Sequence, residues 1–131
     1  MKPPWSLFTR AGFSGLIMTT DRPSLNWQAV QELQTIMGEN FSLLLDTFFK
    51  DGANHLVAMQ QSLKCDDLEA TRSAAHSLKG SAGNMSAQVL EGLCRDLEIQ
   101  AATGRAEGSQ DLVSAIATEF GQVKVALQSI A

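Results

Sequence analysis

From Asn26 to Ile130 the apolar residues return at a helical period in segment after segment, which confines the chain to packed helices. Over 27–37, Val30, Leu33 and Met37 share a face. Asn26 is placed to cap the orphan amides, Leu25 and Val30 have the spacing of a hydrophobic staple, and Gly38 is a stop. Over 40–64, Phe41, Leu44, Leu45, Phe48, Leu56, Met59 and Leu63 form one stripe. Asp51-Gly52 resembles a turn, but the stripe keeps its phase on both sides. One continuous helix is therefore expected, with Gly52 costing about 1 kcal/mol relative to Ala.

Asp66-Asp67-Leu68-Glu69 reads as a capping-box-like start for a helix reaching about Met85. Ser86 is expected to cap the next helix, 87–103, which carries Leu90, Leu93, Cys94 and Leu97 on one face and Gly104 after it. Ser109 opens the last helix, to about 129, with Leu112, Ile116, Val123, Leu127 and Ile130 aligned. Long helices with short loops make antiparallel neighbours. The expected fold is all-α: an up-down-up-down four-helix bundle over 24–131, with the short 27–37 helix covering one end. Residues 1–23 hold all three prolines and lack a sustained period, so they read as a flexible or loosely docked leader. Either Met1 or Met18 suits a start, and the Met start and small size favour a free-standing protein over an excised domain.

The chain has 131 residues, 44% hydrophobic and 18% charged, which suits a single folded domain and not a disordered one. Its net charge is -4 with Lys and Arg scattered, so phosphate-neutralising contact with nucleic acid is not expected. No run approaches the ~20 apolar residues of a membrane span. The weakly apolar 11–18 stretch is too short and glycine-rich for a good signal peptide, so a cytoplasmic, monomeric protein is expected. Cys65 and Cys94 lack metal-ligand or CxxC spacing and read as buried free thiols.

The helix from Asp66 carries the chemistry. By helical-wheel arithmetic Thr71, Ala75, Leu78, Ala82 and Met85 form its core face. Arg72, His76, Lys79, Gly80 and Gly83 gather roughly 125° away. His76 thus points outward, beside a lysine and two glycines that each cost the helix up to about 1 kcal/mol. Bare backbone at 80 and 83 leaves the imidazole accessible to another protein. Lys79 could neutralise charge on a phosphoryl group attached to the ring. A neutral imidazole is a competent nucleophile near pH 7.

His76-Ser77-Leu78-Lys79-Gly80-Ser81-Ala82 resembles the H-x-L-K-G-S/A core of histidine-containing phosphotransfer (HPt) domains, four-helix bundles with a preceding short helix. The similar layout runs from about 24 to 130. The resemblance implies that His76 is phosphorylated, Lys79 stabilises charge, and Gly80 gives access. One departure is Ser86, where many members have Gly. The implied role is a phosphorelay intermediate: His76 accepts a phosphoryl group from the receiver aspartate of a hybrid sensor kinase and passes it to a response-regulator receiver. Mg2+ would belong to the receiver, and the chain would need no cofactor or metal of its own. It has no G-x-x-x-x-G-K-[ST] segment, so it is expected to be a carrier without autokinase activity and not an enzyme. The alternative is a non-catalytic bundle that docks a receiver domain or sensor kinase. His55, near the apolar stripe of 40–64, reads as a buried or boundary histidine. Neither histidine belongs to the Glu-x-x-His pairs of a carboxylate-bridged metal bundle: Gly52 and Ser73 stand where the Glu would be.

Overall fold

The computed structural model describes residues 24–130, so the expected leader, 1–23, lies outside the described residues. Among the described residues five α-helices follow in order: α1 (Trp27–Met37), α2 (Phe41–Lys64), α3 (Leu68–Asn84), α4 (Gln88–Ala102) and α5 (Ser109–Gln128). A 3-10 turn, Gly38–Asn40, joins α1 to α2. Helix α2 packs on α3, α3 on α4, α4 on α5 and α5 back on α2, closing a four-helix bundle.

The ends of α1 and α3 form by local chemistry. Asn26 Oδ1 accepts the Ala29 amide at 3.2 Å, while Leu25 and Val30 are both buried beside it. Gly38 takes φ +55 and ends α1. Asp67 caps α3 by accepting the Ala70 amide at 3.0 Å. Helix α1 covers one end of the bundle: Gln34 Nε2 donates to the Ile130 carbonyl at 3.3 Å, and the Asn26 amide donates to the Ser86 carbonyl at 3.0 Å.

Helix α2 runs unbroken through Gly52. A β-carbon at 52 would stand well inside van der Waals contact with the ring of Phe120. Glycine there is the condition for α2 and α5 to approach, and Phe48 meets Phe120 in the same layer with ring centroids 5.6 Å apart.

Two local expectations are corrected. Ser86 does not cap α4; Ala87 holds the cap position, with no side-chain hydrogen bond. Ser86 instead has φ +58 in the reversal after α3, where its amide donates to the Gly83 carbonyl at 3.0 Å. The left-handed conformation is one that glycine adopts without cost, which accounts for the preference at this place in the family that the sequence resembles. Cys65 is exposed, because it stands at the C-terminal end of α2 as the chain leaves the core. Cys94 is fully buried, and burial, with the charges of Glu91 and Glu98, pushes its thiol up to about 12.

The core face of α3 is as expected: Thr71, Ala75, Leu78, Ala82 and Met85 are all buried. Thr71 Oγ1 and Ser62 Oγ share a 2.6 Å hydrogen bond that joins α3 to α2 inside the bundle. This fixes the rotation of α3 and turns its opposite side outward. No described helix is long and apolar enough to cross a membrane.

Candidate functional site

His76 stands at the midpoint of α3, with 62% of its side chain exposed. A long helix anchored at both ends and packed along its core face holds that position steady. From the neighbouring helix, Glu98 reaches across to it. His76 Nδ1 lies 2.8 Å from Glu98 Oε2, and Lys79 Nζ donates to Glu98 Oε1 at 2.7 Å. One carboxylate thus spans a histidine and a lysine one turn apart.

The charge state of Glu98 follows from these partners. The Lys79 hydrogen bond above all, and the His76 hydrogen bond with it, hold its carboxyl below the usual range against the opposing effect of desolvation. An ionised carboxylate only accepts, so Nδ1 carries a proton and donates it. In the neutral ring the lone pair then belongs to Nε2. The carboxylate thereby selects which nitrogen can act as a nucleophile.

The two glycines of this face differ. A β-carbon at Gly80 would have nothing within 4 Å, so its surface is open. At Gly83 a β-carbon would stand 3.1 Å from Glu91 Oε2, so that glycine seats a side chain of α4 and does not simply clear space around His76. Arg72, grouped with His76 on the helical wheel, is tied to Glu69 through Nε at 3.0 Å and Nη2 at 2.5 Å. Arg95 faces Glu91 more loosely, at 3.8 Å.

His76, Lys79 and Gly80 therefore share one open face. Glu98 was missed by the sequence reading. Its signal is faint: it follows the buried Leu97 and flanks the apolar stripe of α4, but which neighbour that flank meets depends on the packing of two helices. His55 is half-buried on α2 and takes no part in this network. Among the described residues no group of three His, Cys, Asp or Glu side chains is arranged to hold a metal ion.

A family model described as the Hpt domain matches residues 43–126, from α2 through most of α5. The chain belongs to the Hpt domain family. It is similar to a solved structure of histidine-containing phosphotransfer protein B (HptB) from Pseudomonas aeruginosa PAO1, with 33% identity and a TM-score of 0.79. That match covers 82% of this chain and 93% of the other. A histidine-containing phosphotransfer protein from maize, ZmHP2, shares the fold at 18% identity, with a TM-score of 0.74 and coverage of 90% and 94%. No curated protein matches the chain. As an Hpt domain the protein is a phosphotransfer intermediate of two-component phosphorelays, a family of phosphoryl carriers that interact with receiver domains and kinases.

Proposed function

We propose that His76 is the residue that carries the phosphoryl group, and that Nε2 is the atom that bears it. The observation that carries this reading is an exposed imidazole whose Nδ1 donates to Glu98 and whose Nε2 is left with the lone pair. The upstream partner is a hybrid sensor kinase's receiver domain presenting an aspartyl phosphate with its own Mg2+. Nε2 attacks phosphorus in line, the acyl O–P bond breaks, and the aspartate leaves as carboxylate. The downstream partner is a response regulator whose aspartate attacks the same phosphorus in turn. The transition state is loose, so positioning and charge neutralisation carry most of the catalysis. Lys79 supplies a cation beside the ring, and Gly80 leaves the approach open.

On this reading the chain acts as a cytoplasmic monomer, needs no cofactor of its own, and does not phosphorylate itself from ATP. The metal and most catalytic groups belong to the partner. The test is to incubate the protein with a phosphorylated receiver and look for alkali-stable, acid-labile label on this chain. Label is expected on the wild type and absent from His76→Gln. A His76→Gln protein that still takes up such label would overturn the assignment, whereas docking without transfer would favour a scaffold.

A further inference from the structure

Transfer out of a phosphohistidine depends on the nitrogen that does not hold the phosphorus. When Nε2 of a ring bearing a proton on Nδ1 attacks phosphorus, no proton need move: the product is an Nε2-phosphoryl imidazolium with Nδ1–H still in place. In the return step a receiver carboxylate attacks, the N–P bond breaks, and its electron pair goes back to Nε2. The ring then leaves as neutral imidazole. If Nδ1 loses its proton while the ring is phosphorylated, the ring must leave as imidazolate, a far poorer leaving group. The phosphoryl group is then stranded until the proton returns.

Glu98 stands where that proton is controlled. Oε2 lies 2.8 Å from His76 Nδ1, and the carboxylate is largely enclosed, with 18% of its side chain exposed. The other charged groups around the ring are Lys79 and Arg72 on α3, with the Glu91–Arg95 pair further along α4. Lys79 is already bonded to the same carboxylate and Arg72 to Glu69, so both cations have anionic partners. Helix α2 meets α3 through the buried Ser62–Thr71 bond, and among the described residues no ion pair links it to this face. Glu98 is the anion in direct contact with the ring.

We infer that Glu98 is a positioning residue for the outgoing step: it retains the Nδ1 proton on phosphorylated His76 and so keeps the phosphoryl group transferable. This rests on the proposed role of His76 and adds what sets the lifetime of its phosphorylated form. Glu98→Gln is the informative change, because an amide oxygen can still accept the Nδ1–H bond but carries no charge.

The wild type, Glu98→Gln and Glu98→Ala are each phosphorylated with phosphoramidate, a small-molecule donor that needs no receiver. The ring nitrogens are then followed by 15N NMR across pH, and single-turnover transfer to an unphosphorylated receiver is timed across the same range. In Glu98→Gln the Nδ1 proton of the phosphorylated ring is expected to be lost about 1 pH unit lower, in keeping with removal of an adjacent opposite charge. The fall in transfer rate at high pH moves with it, leaving transfer about tenfold slower on the alkaline side of the break. Glu98→Ala, which also lacks the acceptor, shifts at least as far. Equal titration and equal pH profiles in all three proteins would overturn the inference while leaving His76 as the carrier. Failure of the wild type to take up phosphate at His76 from either donor would instead bring down the functional reading, and this inference with it.

Discussion

The carboxylate of Glu91 rests against the bare backbone of Gly83, 3.1 Å from where a β-carbon would stand, whereas the same position at Gly80 has nothing within 4 Å. Two glycines on one helix face therefore answer to different needs. Gly83→Ala asks Glu91 to move its flexible end by a few tenths of an ångström, against the better helix propensity of alanine. Melting and transfer should both stay close to wild type. Gly80→Gln should raise stability by up to about 1 kcal/mol, because it meets no neighbour and replaces a poor helix former. It should nevertheless slow transfer, by filling the space a receiver needs beside His76. Circular dichroism melts and receiver-to-protein transfer assays on both variants check this. Normal transfer by Gly80→Gln would remove the access argument.

Gly52 presents the opposite case, a glycine kept for packing. Gly52→Ala drives a methyl group into the ring of Phe120, which is buried against Phe48 and has little room to yield. The expected loss is about 1–3 kcal/mol, the range for overpacking a core. Phosphoryl acceptance by the folded fraction should persist, since His76 lies on a different helix and faces outward. A denaturant titration that found no change in midpoint would show that α2 and α5 separate more easily than their contact implies.

The helical limits were legible because they depend on neighbours in sequence: Asn26 and Asp67 bond amides three residues on, and each apolar stripe is a property of one helix. The outward direction of His76 was legible for the same reason, from the core positions of α3 alone. Glu98 was not, since its contact with His76 needs the register of α4 against α3. Gly52 looked like a propensity cost because its reason, Phe120, lies 68 positions away in the chain. Ser86 was read as a cap from its residue type, while the tight reversal between α3 and α4 required a left-handed residue there.

Glu119 gives the fold a pH dependence. It is buried on α5, and Oε2 has no hydrogen-bond partner among the described residues. Desolvation raises its carboxyl above the ordinary range, with a Ser24 hydrogen bond opposing in part. The folded state thus holds the proton to higher pH than the unfolded chain, where Glu titrates near about 4.3. This contribution is at its most favourable below the unfolded value and is lost as pH rises through the raised folded one. Glu119→Gln stays neutral throughout. Relative to wild type, the variant should gain stability as pH is raised from about 4 toward neutrality. Urea midpoints for both proteins at several pH values test this, and a constant difference across the range would count against it.

Lys79 and His76 separate charge from nucleophilicity. His76→Gln removes the attacking nitrogen, and because most of the side chain is exposed, the bundle should melt near the wild-type temperature. Phosphoryl acceptance should vanish. Lys79→Ala leaves the nucleophile and its bond to Glu98, but withdraws the cation beside the incoming phosphoryl group. Transfer should continue at a rate lower on the order of tenfold, equivalent to about 1.4 kcal/mol of transition-state stabilisation. The same change frees Glu98 Oε1 from its ammonium partner, leaving the carboxylate's charge less compensated beside the ring. Single-turnover transfer from a phosphorylated receiver checks this, and a wild-type rate in Lys79→Ala would show that Lys79 does not stabilise the incoming phosphoryl group.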